Sequence, residues 1–216
     1  MRIPLTPHGV REMLLFGGGA LLLALGAFLL HPLAAVPFVA LAVFVLSFFR
    51  DPERKPPPGE EIAVSPADGT VADIGEVDEP HFLGGKALRI GIFLSVFNVH
   101  VNRVPLSGKV RLTKHEPGLF LDARDPRCKD RNEWNLVGVE GVRGPFAVRQ
   151  VTGLVARRIV CPLKEGDDVA RGQRMGMIKF GSRTELLVPA GAKVKVETAV
   201  GRKVKGGETV LLRYGS

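Results

Sequence analysis

One serine of the sequence has neighbours that point to a chemical role. Ser182 follows Gly181 in the stretch "MIKFGSRTELLVP", where an apolar run typical of a strand stands on each side of the Gly-Ser pair. This pattern predicts a tight connection between two buried strands. A serine placed directly after a glycine on such a turn is also well placed to attack the carbonyl of its own chain, because glycine adds no side-chain bulk.

Two further residues could assist a serine nucleophile. His100 stands in the apolar segment "FLSVFNVHVNRVP", where period-two alternation predicts that it shares one strand face with Asn98 and Asn102. Asp68 lies in "SPADGT", a sequence that is also an ordinary turn. Asp68, His100 and Ser182 together supply an orienting acid, a base and a nucleophile, which favours nucleophilic chemistry.

Other kinds of site have little support in the sequence. It contains no His-x-x-His, HExxH or clustered carboxylates, and no GxSxG, GxGxxG or Walker loop, so we predict neither a metal nor a bound nucleotide. Cys128 and Cys161 are 33 residues apart with no CxxC, which favours free thiols in a reducing compartment. The net charge of +8 is not gathered into a nucleic-acid arm, so no nucleic-acid partner is expected.

The N-terminal fifth of the chain predicts a membrane anchor. Residues 13 to 49 carry one strongly polar side chain, His31, which Pro32 follows directly. This composition predicts a hairpin of two helices of about 17 to 19 residues within residues 1–50. Basic residues flank both ends, which places both ends and the following domain on the cytoplasmic side of the inner membrane. A cleaved signal peptide is the alternative, and the apolar run that continues to Phe49 argues against it.

The rest of the chain predicts a β-rich domain. Residues 51–61 hold four prolines among charges and read as a stiff, solvated linker, and residues 62–216 show short β-branched runs with glycines between them. We therefore expect a β-dominated fold, all-β or α+β. The spacing Gly-x-x-Val-x-x-Gly occurs twice, at Gly166–Val169–Gly172 and at Gly201–Val204–Gly207. Two such turns resemble the barrel-sandwich fold of lipoyl and biotinyl carrier domains, although Lys179 is a poor match for a carrier lysine.

Several motifs, taken as an ordered set, resemble the phosphatidylserine decarboxylase family in its short bacterial and archaeal form. The matching stretches are "SPADG", "FLSVFNVHVNRVP", "PGLF", "RNE" and "FGSRTELLVP", which run in order from residue 65 to residue 189. The resemblance implies a proenzyme that cuts itself at Gly181-Ser182 into chains 1–181 and 182–216. It also implies that Ser182 becomes a covalent pyruvoyl group, with His100 and Asp68 as the motif histidine and aspartate.

The same resemblance implies the reaction and its location. The pyruvoyl ketone would condense with the serine amine of phosphatidylserine and accept electrons as carbon dioxide leaves, giving phosphatidylethanolamine for phospholipid biosynthesis. Arg103, Arg183 and Lys179 are expected partners of the phosphate or carboxylate. The apolar loop "PGLFLDA" is expected to dip into lipid or to cover the site.

The chain departs from the family pattern at three positions. Arg103 stands where longer members have a second histidine, Lys179 stands where an arginine is common, and Trp134 replaces the arginine of an Asn-Glu-Arg pattern. Two other functions stay open at this point: a membrane-tethered lipoyl-like adaptor with an intact Gly181-Ser182 bond, and a serine hydrolase that uses the same trio. Archaetidylserine as substrate and a homo-oligomeric assembly are equally compatible with the sequence.

Overall fold

The structure, a computed structural model, describes residues 4–121, 131–153, 158–179 and 182–215. The chain divides into two compact units, Met1–Glu53 and Arg54–Ser216. We call them the helical unit and the β unit, and we describe each by itself. Gly181 and Cys128, which the sequence analysis singled out, lie outside the described residues.

The helical unit is a hairpin. Its first helix spans Pro7–Leu30 and its second Pro32–Phe48. His31 separates them in an extended conformation, and its Nδ1 accepts a hydrogen bond of 3.2 Å from the backbone N–H of Leu33. The hairpin is closed by hydrogen bonds of 2.9 Å from the Thr6 N–H to the Phe49 carbonyl and of 2.7 Å from the Asp51 N–H to the Pro4 carbonyl. Both ends of the hairpin therefore lie side by side, as the sequence predicts.

The surfaces of the two helices differ between their facing and outward sides. Small residues such as Ala20, Ala24 and Ala42 are buried, whereas the outward side carries exposed leucines, of which Leu22 and Leu30 are 73% and 89% exposed. Small residues let two helix backbones approach closely. The first helix has 24 residues, longer than the predicted 17 to 19, because it begins at Pro7 and not at Met13. It is the one helix of the described residues that is long and apolar enough to cross a membrane.

The β unit is built from strands in three sheets, which confirms the predicted β-dominated class. The described strands are β1 Ile62–Val64, β2 Gly69–Glu79, β3 Gly85–Leu94, β4 Val101–Arg103, β5 Gly108–Glu116, β6 Trp134–Gly141, β7 Gly144–Val151, β8 Arg158–Val160, β9 Asp168–Val169, β10 Arg174–Lys179, β11 Ser182–Pro189, β12 Val194–Val196, β13 Lys203–Val204 and β14 Val210–Tyr214. The largest sheet has the order β13-β2-β3-β11-β7-β6-β5-β9, and the other two are β1-β14-β12 and β4-β10-β8. All pairings between neighbouring strands in these sheets are antiparallel.

The large sheet has an apolar layer on each face. Leu186 and Val188 of β11 belong to the main core, and Leu187 between them belongs to a smaller cluster with Trp134 on the other face. Side chains alternate between the two faces of a strand, so the even-numbered residues of β11 face the main core. The Ser182 side chain, at the start of β11, therefore lies on the main-core face of the sheet.

The repeated Gly-x-x-Val-x-x-Gly pattern corresponds to a repeated turn–strand–turn. All four of its glycines have a positive φ, from +78° to +94°, which L-residues rarely adopt. Val169 and Val204 are buried and lie in β9 and β13, the two edge strands of the large sheet. Arg103 of β4 meets both copies: its Nη1 donates to the Gly172 carbonyl at 2.9 Å, and its Cδ lies where a Cβ on Gly207 would stand. The large sheet is therefore curled, with its two edges brought together at Arg103.

The proline-rich segment is irregular, as predicted, but from Arg54 onward it is bound to the β unit. Guanidinium nitrogens of Arg171 donate to the backbone carbonyls of Pro57 and Gly59, and Pro56 packs against Gly172. Residues 54 to 59 therefore contact the β unit directly. Their backbone carbonyls serve as hydrogen-bond acceptors for the half-buried side chain of Arg171.

Candidate active site

Ser182 is the first residue of β11, a strand in the interior of the large sheet. It is fully buried and stands opposite Leu94, the last residue of β3. Its Oγ has no hydrogen-bond partner among the described residues. The preceding strand β10 belongs to a different sheet, so β10 and β11 flank the Gly-Ser pair as predicted but do not form a hairpin. Since a buried hydroxyl without a partner costs free energy, this serine invites a functional explanation.

His100 is also fully buried, but its strand environment differs from the prediction. The predicted continuous strand is broken by a turn at residues 95 to 98, in which the Asn98 Oδ1 accepts hydrogen bonds from the Ser95 N–H at 2.9 Å and the Ser95 hydroxyl at 2.8 Å. Asn98 therefore belongs to the turn and does not form a strand-face stripe with His100 and Asn102. The reason is local: an asparagine side chain can replace backbone partners and stabilise a turn.

The same turn orients the His100 imidazole. Its Nδ1 lies 3.0 Å from the backbone carbonyl oxygen of Asn98. A carbonyl only accepts, so this contact is a hydrogen bond when Nδ1 carries the hydrogen, and the basic lone pair is then on Nε2. The contact with the Asn98 carbonyl therefore favours the tautomer with its hydrogen on Nδ1.

Strand register brings His100 and Ser182 to the same end of the β unit. Val101 stands opposite Met177 in β10, and the His100 carbonyl accepts from the Ile178 N–H at 3.4 Å. From Asn102 back to His100, the chain therefore runs toward the end of β10, which is where the connection to Ser182 begins. Ile178 and Ser182 are four residues apart, which limits their Cα separation to about 14 Å.

The Asp68 carboxylate is held at its turn by contacts that include Arg54 and the Gly206 backbone. Its Oδ2 forms an ion pair of 2.9 Å with Arg54, and its Oδ1 accepts from the Gly206 N–H at 2.7 Å. Arg54 also pairs with Glu208 at 3.1 Å. Asp68 is thus fixed between the segment before β1 and the turn after β13, and this anchoring keeps a carboxylate at a constant place in the β unit.

The three basic residues proposed from the sequence as substrate partners have different surroundings. Arg103 is buried and links the two edges of the large sheet, as described above. Lys179 ends β10 two residues before Gly181 and is 5% exposed. Arg183 follows Ser182 in β11, so alternation directs its side chain to the opposite face of the sheet.

Arg183 belongs to a buried ionic cluster on that opposite face. Its Nε lies 2.6 Å from a carboxylate oxygen of Glu185, and its Nη2 lies 2.7 Å from Asp73. Burial disfavours the charged guanidinium, but Glu185 and Asp73 outweigh this effect, so the pKa of Arg183 is raised above its ordinary value. Its guanidinium fills the space that a Cβ on Gly91 would occupy. The Arg183 guanidinium is therefore held by Glu185 and Asp73 on the face opposite to Ser182.

The "RNE" motif fixes the start of the "PGLFLDA" loop. Asn132 is 1% exposed, and its amide group exchanges two hydrogen bonds of 2.8 Å with the backbone of Leu121 and donates to the Thr152 carbonyl at 2.8 Å. Leu119 in this loop is 50% exposed. The loop is thus tied at its base, and its later residues 122 and 123 lie outside the described part.

Sequence reasoning missed a row of buried polar residues beside Ser182: Asn135, Gln150 and Thr184. The signal was present for Thr184, which is two residues after Ser182 and therefore on the same strand face. No group of three or more metal-binding side chains occurs among the described residues.

Comparisons with known proteins agree with this arrangement. Residues 41–212 match the profile of the phosphatidylserine decarboxylase family. The phosphatidylserine decarboxylase proenzyme of Citrifermentans bemidjiense is 45% identical over 96% of this chain and 95% of its own length. The proenzymes of the same name from Chlorobium limicola and Rhodopirellula baltica are 42% and 44% identical, over 97% and 98% of this chain and 100% and 89% of their own lengths.

A β-rich unit with a buried serine and histidine at one end, together with these matches along nearly the whole sequence, defines a class of decarboxylating enzymes. The chain belongs to the phosphatidylserine decarboxylase family. The resemblance stated from the motifs and the prediction of an enzyme of this carboxy-lyase class are confirmed.

Proposed function

We propose that the chain is a proenzyme that cuts itself between Gly181 and Ser182 and then decarboxylates phosphatidylserine to phosphatidylethanolamine. The observation that carries this proposal is the fully buried Ser182 Oγ, which has no hydrogen-bond partner among the described residues and begins an interior strand. A hydroxyl that is consumed during maturation needs no lasting partner. The names of the relatives, which are proenzymes, support the same conclusion.

The cleavage uses groups of the chain itself. His100, with its hydrogen on Nδ1, takes the Ser182 hydroxyl proton at Nε2, and Oγ attacks the carbonyl carbon of Gly181. The peptide bond is thereby exchanged for an ester, and the Ser182 nitrogen becomes a free amine. β-Elimination then removes the Ser182 α-proton to a base, breaks the Cβ–O bond and leaves the Gly181 carboxylate. The remaining dehydroalanine adds water and loses ammonia, which leaves a pyruvoyl group at the start of chain 182–216.

The surroundings of Ser182 fit such a group. A pyruvoyl group replaces the serine amine and hydroxyl by a ketone, so it removes a buried donor for which the described residues provide no acceptor. When formed, it supplies an electron sink for loss of carbon dioxide from an amino acid headgroup.

Residues near Ser182 would then bind and protonate the substrate. We propose His100 as the group that holds and delivers a proton, because its Nε2 is the basic nitrogen when Nδ1 donates to Asn98. Asp68 is proposed to stabilise the imidazolium that forms during proton transfer, and its fixed position between Arg54 and Gly206 suits that electrostatic role. Lys179 is proposed as the cation for the substrate carboxylate or phosphate.

The helical unit would bring the enzyme to its lipid substrate. Its first helix is long and apolar enough to cross a membrane, and its outward side chains are exposed and apolar. We propose that residues 1–50 form the anchor, that residues 51–61 connect it to a catalytic domain at 62–216, and that this domain acts on the cytoplasmic face of the inner membrane. Anchoring raises the effective concentration of a substrate that stays in the bilayer.

The intact mass of the purified protein under denaturing conditions tests the proposal. We expect two chains, corresponding to residues 1–181 and 182–216, with the smaller one blocked to Edman degradation and reactive toward hydroxylamine or borohydride. The Ser182→Ala variant should remain one chain. A single uncut chain in a preparation that is active on phosphatidylserine would overturn the cleavage mechanism.

The same measurement separates the other two functions considered from the sequence. A lipoyl-like adaptor would keep the Gly181-Ser182 bond and show no decarboxylation. A serine hydrolase would also remain one chain and would be labelled at Ser182 by a fluorophosphonate. Phosphatidylserine and archaetidylserine are compared directly as substrates, since they share the serine headgroup on which the reaction takes place.

A further inference from the structure

A row of buried polar side chains crosses the large sheet next to Ser182. Thr184 of β11 stands opposite Gln150 of β7, and Gln150 stands opposite Asn135 of β6. Residues directly opposite each other in neighbouring strands share one face of the sheet. Because Thr184 is two residues after Ser182, the row lies one step, about 7 Å, along the same face from the nucleophile.

A residue of another sheet completes the row. Asn102 of β4 inserts its side-chain amide between Gln150 and Thr184. The contacts have one direction: the Asn135 Nδ2 donates to the Gln150 Oε1 at 3.1 Å, the Gln150 Nε2 donates to the Asn102 Oδ1 at 2.8 Å, and the Asn102 Nδ2 donates to the Thr184 Oγ1 at 3.1 Å. Asn135 is 4% exposed, and the other three members are fully buried.

Such a chain fixes the relative position of two strands. A buried amide that lost its partners would carry the full cost of its desolvation, so each member holds the next in one orientation. The link between Asn102 and Thr184 joins β4 to β11, which belong to different sheets. No backbone pairing is described between these two strands, and the Asn102–Thr184 hydrogen bond links them through their side chains.

The two strands joined in this way carry the two reacting residues. His100 is two residues before Asn102, and Ser182 is two residues before Thr184. From the Asn102–Thr184 contact, both segments lead back toward the end of β10: the first by the register of β4 with β10, and the second by its connection to β10 in the sequence. We propose that Asn102, Gln150 and Thr184 are positioning residues for self-cleavage, which set the distance between the His100 imidazole and the Ser182 hydroxyl. This inference rests on the proposed cleavage at Ser182.

The test measures how fast newly synthesised chains are converted into the two fragments, by denaturing mass spectrometry of samples taken over time. Thr184→Val removes the acceptor at nearly constant shape, and we expect it to slow cleavage by between about tenfold and about a hundredfold, since small misplacements of reacting groups have effects of this size. Thr184→Ser keeps the hydroxyl and should restore a rate within about twofold of the unchanged chain.

A second variant tests the row at a distance from Ser182. Gln150→Leu removes the donor that holds Asn102 and should also slow cleavage. Combined with Thr184→Val, it should add little further loss, because both substitutions release the same amide group. Thr113→Val is the matched control. Thr113 lies on another strand, β5, and its buried hydroxyl has no hydrogen-bond partner among the described residues. Its removal should leave the cleavage rate unchanged.

Stability is measured separately so that a folding defect is not taken for a positioning effect. Each substitution is repeated in the Ser182→Ala chain, which is not cut, and its urea midpoint is determined. Slower cleavage in Thr184→Val or Gln150→Leu chains that are folded under the assay conditions, with rescue by Thr184→Ser, supports the proposal. Cleavage of folded Thr184→Val and Gln150→Leu chains at the unchanged rate overturns it. If Thr184→Val chains do not fold, the cleavage rate of folded Gln150→Leu chains alone supports or overturns the proposal by the same criteria.

Failure of the proposed function gives a different result. If Ser182→Ala chains are also cut at 181/182, or if the unchanged chain is not cut, the cleavage mechanism itself is wrong. If the unchanged chain is cut, Ser182→Ala is not, and the row variants have no effect, only the positioning inference is wrong.

Discussion

Ser182 and Leu94 stand directly opposite each other in β11 and β3, and both are fully buried. Cleavage before Ser182 would therefore produce a new chain end inside a sheet. The smaller chain contributes β11 between β3 and β7, and β14 between β1 and β12. Cutting a single peptide bond would leave its backbone hydrogen bonds and its buried leucines in place.

We accordingly expect the two chains to stay together under native conditions. Native mass spectrometry should show one complex that contains chains 1–181 and 182–216, and size exclusion should give the same elution volume as for uncut Ser182→Ala. Separation should require a denaturant. Elution of the 35-residue chain by itself from native protein would contradict this expectation and the strand order on which it depends.

The buried carboxylate of Glu185 should be a major stabilising group. It is fully buried and lies 2.6 Å from Arg183, 3.7 Å from Arg89 and 3.9 Å from Arg149. Glu185→Gln leaves buried guanidinium groups without this countercharge, so the free energy of unfolding should fall by about 3–5 kcal/mol. Urea unfolding of the uncut Ser182→Ala chain measures the change.

An exposed ion pair provides the matched control for Glu185. Glu61 lies 2.8 Å from Arg213, and the two side chains are 39% and 47% exposed. Glu61→Gln should lower the free energy of unfolding by about 1 kcal/mol or less, because solvent screens such pairs. Equal effects of the two substitutions would show that the buried cluster does not stabilise the fold as argued.

The fold class and the placement of Ser182 beside a strand could be predicted from the sequence because they depend on local patterns. Alternating β-branched runs and paired glycine motifs predicted the strands and the turns around Val169 and Val204, and the Gly-Ser pair stood out between two strands. The break at Asn98 could not be predicted from period-two alternation, since an asparagine that forms a turn and an asparagine on a strand face look alike. The row through Gln150 was equally hidden, because it depends on the register of strands far apart in the chain.

Arg103 should matter for stability more than for substrate binding. Arg103→Met keeps an apolar stem beside Gly207 but loses the hydrogen bond from Nη1 to the Gly172 carbonyl, so we expect a loss of about 1.5–3 kcal/mol in the free energy of unfolding. Folded Arg103→Met enzyme should keep the KM for phosphatidylserine. Arg111→Met, which removes an exposed partner of Glu140, is the control and should cost about 1 kcal/mol or less. A raised KM with unchanged stability would instead indicate that Arg103 binds the substrate.

Tyr214 offers a test of the main core through its pH dependence. It is the single tyrosine of the chain, it packs in the main core, and burial raises the pKa of Tyr214 to about 12. An unfolded chain would ionise near its ordinary value of about 10. Since the unfolded state loses this proton first, the stability that depends on the neutral phenol should be complete below about pH 10 and should decline as the pH rises toward about 12.

Ultraviolet absorbance of the phenolate measures this titration without interference from other tyrosines. Native protein should titrate near 12, and urea-unfolded protein near the ordinary tyrosine value. Tyr214→Phe removes the phenolate absorbance. It should also remove the part of the loss of stability between about pH 10 and about pH 12 that Tyr214 causes, and any loss that remains comes from other groups, such as the lysines, that titrate in this range. Because the Tyr214 hydroxyl has no hydrogen-bond partner among the described residues, the substitution should change stability little at neutral pH. A native phenol that ionises near 10 would show that Tyr214 is open to solvent and that this end of the main core is not closed.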